Sequence, residues 1–323
     1  MKKRVAILRG GPSTEHEVSL KTGASVIKNL PEKYEAIDIY IDTDGVWHLK
    51  GVPMDPQNIG KIADVAFVAM HGQYGEDGTV QKILENIGIP FTGSKSLASA
   101  IGMNKALTKD FFKKQGIKTP YHKVFKISDY TPTLAAEIFK TFPQPSVIKP
   151  NKGGSSIGVS IVYRIPEIEE GLRKAFESCD EVIIEECIKG KEATCGVLEN
   201  FRDKDHYALL TVEIVPKAHQ KFFDHESKYS SESGADEICP GNFSREETEE
   251  IQKLAVLAHQ AVGANHYSRT DFMVHPKRGV FALEINTLPG LTEASLLPKE
   301  IKAIGSSYAE LLEHLVELAL AGK

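Results

Sequence analysis

The chain has 323 residues, 41% hydrophobic and 26% charged, with a formal net charge of −5. That length allows two or three domains with their own cores. The small negative charge gives no reason to expect a nucleic-acid partner, and no apolar run approaches the length of a membrane span. The opening Met1-Lys-Lys-Arg-Val-Ala-Ile-Leu-Arg-Gly10 has only four apolar residues before Arg9. This is too short for a signal-peptide core and reads as a first buried strand. Cys179, Cys187, Cys195 and Cys239 show no C-x-x-C spacing, so the expectation is reduced core thiols in a cytoplasmic protein.

In chain order, strand and helix signals alternate over the first ~90 residues. Residues 5–8 are an apolar run ending in Gly10-Gly11, 17–30 have helical spacing, and 36–41 and 64–70 read as strands. Residues 80–87 read as a helix that stops at Gly88. Such alternation predicts a parallel sheet covered on both faces. Beyond Ser94 the pattern changes. Residues 96–101 and 105–115 read as helices, 147–149 as a strand end and 159–163 as a strand. A helix over 165–177, strands over 181–187, 193–198 and 207–215, a long polar loop, and helices over 245–262 and 308–320 complete the chain. There is no internal repeat, and boundaries fall near Thr92-Gly93 and Lys189-Gly190. The expected domains are therefore 1–93, 94–188 and 189–323.

Three segments carry chemistry. The first is the strand-to-helix turn Gly10-Gly-Pro-Ser-Thr-Glu-His-Glu-Val18, where Ser13 or Thr14 can cap a helix whose N-terminus suits an anion. No G-x-G-x-x-G occurs, so a dinucleotide site is not expected. The second is Lys149-Pro-Asn-Lys-Gly-Gly-Ser-Ser-Ile-Gly-Val159. A strand delivers Lys149, and Gly153, Gly154 and Gly158 let the backbone approach a ligand. Ser155 and Ser156 add hydroxyls, and consecutive N–H groups form an anion-binding concavity. It is not a Walker loop, since G-x-x-x-x-G-K-[ST] is absent.

The third segment runs from Arg269 to Gly290. Apolar residues 272–274 and 280–285 flank Pro276-Lys-Arg-Gly279, which reads as a β-hairpin. If His275 pairs with Val280 across a four-residue loop, Asp271 lies opposite Glu284 on one face, with Asn286 two positions along that face. Three oxygen-bearing side chains then converge in a shell suited to a hard cation such as Mg²⁺ shared with phosphates. A register change of one residue would undo this.

Together these segments resemble the D-alanine–D-alanine ligase family of the ATP-grasp superfamily, from Val5 to about Pro298. The matching blocks are 10–20, 71–78, Gly102-Met-Asn-Lys105, 149–159, Lys228-Tyr229, Arg269-Thr-Asp271 and 284–292. The resemblance implies an α/β (α+β) fold of three domains, the first built on a parallel sheet, with ATP gripped between antiparallel sheets of the other two. It implies ATP-dependent ligation of two D-alanines through an acyl phosphate, for peptidoglycan precursor synthesis. The alternative is D-serine or D-lactate as the second substrate. A cytoplasmic homodimer is implied, with small-molecule substrates only and no nucleic-acid or membrane partner.

The family's site residues carry over as follows. Asp271, Glu284 and Asn286 would hold two Mg²⁺ ions, or Mn²⁺ in their place, with Glu284 bridging. Lys105 and Lys149 match phosphate-binding lysines, and Ser155 and Ser156 the loop over the phosphates. Glu185 and the backbone of Glu186 and Ile188 match the adenine edge, and Glu192 the ribose ligand. Glu15 matches the carboxylate for the first D-alanine's ammonium. Arg269 and the Gly290 N–H match the oxyanion-stabilising pair. Ser295 and Leu296, with Lys228 nearby, match the second carboxylate subsite. His71 matches a histidine near the first subsite, with an orienting role rather than that of general base. Residues 222–235 resemble the mobile ω-loop. In it Tyr229 would hydrogen-bond with Ser155 and Glu15 and favour an amine nucleophile. Arg9 and Cys187 depart from the usual pattern without undermining it.

Overall fold

In this computed structural model residues 2–217 and 235–322 are described. Strand β1 (Lys3–Gly10) holds the run Val5-Ala-Ile-Leu8, all fully buried, because helices cover both faces of its sheet. Helix α1 (His16–Asn29) leads to β2 (Tyr34–Ile41), which lies parallel to β1. Strands β3 (Trp47–Leu49) and β4 (Val52–Met54) form a hairpin on β2, and the short α2 (Ile59–Ile62) leads to β5 (Val65–Val68), parallel to β1 on its other side. Helix α3 (Thr79–Ile87) follows. The sheet order is β4-β3-β2-β1-β5. The expected parallel sheet is thus its centre only. The antiparallel edge hairpin was not legible, because residues 42–55 are rich in turn formers and the strands have three residues each.

Helices α4 (Ser96–Met103) and α5 (Lys105–Lys114) precede a second sheet. This contains β6 (His122–Lys126), then after α6 (Leu134–Thr141) β7 (Ser146–Pro150) and β8 (Ser160–Val162), and after α7 (Ile165–Phe176) β9 (Glu181–Glu186). All its pairings are antiparallel, in the order β6-β9-β7-β8. Ile168 and Leu172 of α7 pack on Ile148 and Ile184 from one face.

The third sheet is built on β10 (Lys191–Phe201). β11 (Lys204–Ala208) and β12 (Val212–Val215) pair with it, and β13 (Asp236–Ile238) pairs with β12. β13 is a short edge strand inside what reads as a polar loop. Helix α8 (Arg245–Val262) starts in a capping box between Ser244 and Glu247 and ends at Gly263 in the left-handed region. Its stripe of Ile251, Ala255, Ala258 and Val262 packs on Ala193, Cys195, Val197 and Phe272, where Ile101 of α4 and Phe112 of α5 join it. β14 (Tyr267–His275) and β15 (Gly279–Asn286) complete the sheet. After α9 (Leu296–Ala303), helix α10 (Tyr308–Leu320) returns to the first sheet, where Leu311, Leu312 and Leu315 share a core with Val5, Ile7 and Phe67.

Only Cys195 among the cysteines is buried; Cys179, Cys187 and Cys239 are half-buried, so the expectation of core thiols holds at one position. Among the described residues no helix is long and apolar enough to cross a membrane. Lys228, Tyr229 and residues 222–234 of the expected ω-loop lie outside the described residues.

Candidate active site

The second and third sheets enclose a cleft of about 570 Å³. Lys149 reaches it from β7, the glycine-serine loop roofs it, and Glu185 to Ile188 line it where β9 leaves its sheet. Glu192 of β10 and Asp271 and Glu284 of the β14–β15 hairpin line the facing wall. These residues share that wall because Glu192, Thr194 and Asp271 alternate with the core-facing Ala193, Cys195 and Phe272. The Glu186 N–H donates to the Tyr121 carbonyl at 2.9 Å. A base edge could therefore meet the Glu186 carbonyl but not its N–H, which narrows the expected adenine contact.

The glycine-serine loop is held from below. The Lys105 N–H donates to the Asn151 carbonyl at 2.9 Å and the Ala106 N–H to Asn151 Oδ1 at 2.9 Å. Lys105 Nζ donates to the Gly153 carbonyl at 2.6 Å and lies 3.5 Å from Glu284. Ser155 and Ser156 both have positive φ, 52° and 58°. Side chains other than glycine and asparagine seldom adopt this conformation, and it commonly marks a functional loop.

Beneath the loop lies a buried chain of charge. The Glu185 carboxylate stands 3.1 Å from Lys149 Nζ and 3.0 Å from Lys109 Nζ. Burial opposes the Glu185 charge, yet the two ammoniums hold its carboxyl below the usual range. Burial also pulls Lys149 down, but Glu185 and Glu284 hold it above its ordinary value. Lys109 is fully buried, and burial brings it down to about 8 against the attraction of Glu185. The side chain expected at the adenine edge is thus also the anchor that orients Lys149 into the cleft.

In the hairpin Asp271 does face Glu284, and Arg269 faces Asn286. The route differs from the expectation. His275 pairs with Gly279, not Val280, which shortens the loop by one residue. A bulge between Asp271 and Phe272 then inserts Leu283 as an extra residue, and the two one-residue shifts cancel. The Leu283 carbonyl accepts from Lys109 Nζ at 2.8 Å. Asp271 Oδ1 accepts from Thr194 Oγ1 at 2.6 Å and Arg269 Nε at 2.9 Å, and Oδ2 accepts from Arg269 Nη2 at 3.0 Å. Burial lowers the Arg269 pKa, but Asp271 more than offsets it and the guanidinium stays charged. Asn286 Oδ1 accepts from the Leu288 N–H at 2.9 Å. The donor set is two carboxylates and an amide oxygen; Asp271 Oδ1 already accepts two bonds, while Asp271 Oδ2 and Asn286 Oδ1 accept one each, and such an oxygen set suits a hard cation.

Glu15, at the start of α1, joins the first sheet to this loop: Ser155 Oγ donates to Glu15 Oε1. Ser13 Oγ accepts the Glu15 N–H at 3.0 Å, while the cap position of α1 is Glu15 itself, not Ser13 or Thr14. His71 is buried with both ring nitrogens committed, Nε2 at 2.8 Å from Thr22 Oγ1 and Nδ1 at 3.1 Å from Glu76. That placement supports orientation over proton transfer. Ser295 stands at the N-cap position of α9, its Oγ accepting the preceding Thr292 N–H at 3.1 Å and no N–H of the helix, and Leu296 is that helix's first residue. A Cβ on Gly290 would come within 2.9 Å of Ser295 Oγ, so only glycine leaves the turn open there.

Comparison with known proteins agrees with this geometry. The family profile described as D-ala D-ala ligase C-terminus matches residues 111–317, and that described as D-ala D-ala ligase N-terminus matches 4–62 and 52–94. The chain belongs to the D-alanine–D-alanine ligase family. A D-alanine–D-alanine ligase of Geotalea uraniireducens is 39% identical over 318 residues, covering 98% of this chain and 96% of the relative. The solved VanG D-Ala:D-Ser ligase of Enterococcus faecalis superposes with a TM-score of 0.86 at 32% identity, covering 99% and 100% of the two chains. A D-alanine–D-alanine ligase of Bacillus anthracis solved in complex with ATP gives 0.80 at 34% identity, covering 99% and 98%.

Three residues that contact this candidate site were missed in the sequence. Lys109 follows Lys105 by four positions on one helix, and that spacing was a usable signal for a shared face. Thr194 and Glu76 carried none, since each is defined by a partner distant in sequence or by burial.

Proposed function

We propose that this chain joins two D-alanines into D-alanyl-D-alanine with ATP, releasing ADP and phosphate, as a cytoplasmic homodimer in peptidoglycan precursor synthesis. One observation carries the reading. The glycine-serine loop touches Lys105 through Gly153 and Glu15 through Ser155, so a phosphate-binding loop, a carboxylate hairpin and an ammonium-seeking carboxylate meet at one end of the cleft.

Phosphoryl transfer asks a protein mainly for position and charge neutralisation. Lys105 and Lys149 offer their ammoniums to the ATP phosphates, Lys149 being aimed by Glu185. Glu15 pairs with the first D-alanine's ammonium and sets its carboxylate against the γ-phosphate. Attack forms the bond to the γ-phosphorus, breaks its bond to the β-phosphate oxygen, and gives the acyl phosphate and ADP. The second D-alanine's amine, held through its carboxylate at Ser295 and Leu296, then attacks that carbonyl and phosphate leaves. Arg269 and the Gly290 N–H bind the oxygen on which charge develops, and the Asp271 pair fixes the guanidinium before the reaction begins. Asp271, Glu284 and Asn286 are the residues that would hold Mg²⁺, two ions or Mn²⁺ in their place, which when bound neutralises phosphate charge.

A second reading takes D-serine as the nucleophile, favoured by the likeness to the VanG structure. Lys228-Tyr229 in the sequence supports D-alanine, and the Ser155–Glu15 hydrogen bond is one link of the three-residue set expected with Tyr229. The test is phosphate release from MgATP with D-alanine, L-alanine, D-serine and D-lactate, with products identified by mass. D-alanyl-D-alanine as the main product is expected. Release only with a mixed pair moves the assignment to the second reading, and no D-alanine-dependent release refutes both. Sedimentation equilibrium tests the homodimer.

A further inference from the structure

On the face of the third sheet turned away from the cleft, Glu199 of β10 lies directly across from His206 of β11. Helix α8 packs on that face and adds His259, which is fully buried. Glu199 Oε1 stands 3.4 Å from His259 Nε2 and 3.9 Å from His206 Nε2, and the three donor atoms all lie within 4.8 Å of one another. These gaps exceed the roughly 2.7–3.2 Å of a good N–H···O bond. They are close to the edge of a tetrahedral zinc site, where donors about 2.0–2.1 Å from the ion stand roughly 3.3–3.4 Å apart. The Glu199–His259 gap already has that length. His206, on a partly exposed hairpin, needs to close on Glu199 by about half an ångström and to swing toward His259, from which its donor atom lies within 4.8 Å.

The groups behind these donors are arranged as metal sites require. His259 Nδ1 is 2.8 Å from Ser268 Oγ, which orients the ring and presents Nε2 to Glu199. Glu199 Oε2 accepts the His266 N–H at 2.6 Å, leaving Oε1 toward the two imidazoles. Two imidazoles and one carboxylate suit zinc or cobalt and not magnesium, which takes oxygen ligands.

We propose that Glu199, His206 and His259 form a transition-metal site of the Zn²⁺ class, with water as fourth ligand, that clips the β10–β11 hairpin to α8. It is separate from the oxygen-donor hairpin, because Glu192 lines the cleft and Thr194 bonds Asp271 there, while by alternation Glu199 shares the opposite face with Ala193, Cys195 and Val197. Its role is structural, since no substrate cleft adjoins it among the described residues.

The full chain, stripped with chelator and held in excess Mg²⁺, is titrated with Co²⁺ and followed by visible d–d absorption and thermal midpoint. One tetrahedral Co²⁺ per chain, displaced by Zn²⁺ and raising the midpoint, is expected. His206→Ala should weaken Co²⁺ by at least about tenfold, the minimum seen even for a lost outer-shell partner. Ligase turnover in Mg²⁺ should be unchanged. His206→Gln serves as the second variant should the alanine protein not fold. Absence of the spectrum and of a midpoint shift at millimolar Co²⁺ overturns the site and leaves a carboxylate between two imidazoles. Binding that survives both His206→Ala and Glu199→Gln, or that Mg²⁺ displaces, places the metal elsewhere and overturns it too.

Discussion

Glu300 on α9 is fully buried, and its Oε1 accepts the Gly196 N–H at 2.8 Å while Oε2 has no hydrogen-bond partner among the described residues. Burial pushes its carboxyl up to about 8, against the pull of the Gly196 N–H and the Arg269 charge. The folded chain therefore keeps a proton that the unfolded chain loses near its ordinary value of 4.5. Below that value both states are protonated and the group adds no pH dependence. Between 4.5 and about 8 the native state binds more protons, so stability falls as pH rises, and above about 8 the loss is complete. The slope is at most about 1.36 kcal/mol per pH unit, or roughly 2.7 kcal/mol from about pH 5.5 to about 7.5. Glu300→Gln removes the titration and keeps an acceptor for the Gly196 N–H. Urea unfolding of both proteins at these two pH values should show wild type losing roughly 2–3 kcal/mol more than the variant as pH rises, other groups cancelling in the comparison. Parallel profiles would refute the reasoning and mean that Glu300 ionises as if solvated.

Lys109→Met strips the Leu283 carbonyl and Glu185 of a buried cation, and denaturant unfolding should register a loss of about 3–5 kcal/mol. Glu284→Gln should abolish phosphate release while ATP binding measured by calorimetry persists; near-normal turnover would remove Glu284 from the metal set. Gly72→Ala places a side chain at φ +71°, against Ser13 Oγ and 2.8 Å from Glu15 Oε2. Steady-state kinetics should show the KM for the first D-alanine rising about tenfold, equivalent to about 1.4 kcal/mol, and an unchanged KM would free Glu15 of that role.

The parts of this site legible in the sequence are those fixed by local chemistry. Lysine at a strand end before glycines and serines, and carboxylates spaced on a hairpin, declare themselves because period and turn residues set which way they point. The buried groups did not. Glu300 and Glu76 have no local pattern that marks them, Lys109 has only its spacing from Lys105, and the packing of distant elements is what turns them into anchors. Residues 117–145, with β6 and α6, were equally silent, since β6 is an edge strand of mostly exposed residues without a clean alternation.

The β14–β15 hairpin shows how a right pairing can follow from a wrong register. Counting back from a four-residue loop places Asp271 opposite Glu284, and so does a loop one residue shorter followed by a one-residue bulge. The two solutions differ in what the backbone does between. A regular hairpin would bond the Leu283 carbonyl across the ladder, whereas the bulge turns it to Lys109, the lysine that also holds Glu185. Sequence periodicity cannot separate the two, because a bulge and a shorter loop leave the alternation on either side unchanged. What separates them is a buried ammonium in search of acceptors. With its charge only partly relieved by Glu185, Lys109 stabilises the bulged carbonyl, and the bulge in turn keeps Asp271 and Glu284 on the face that lines the cleft.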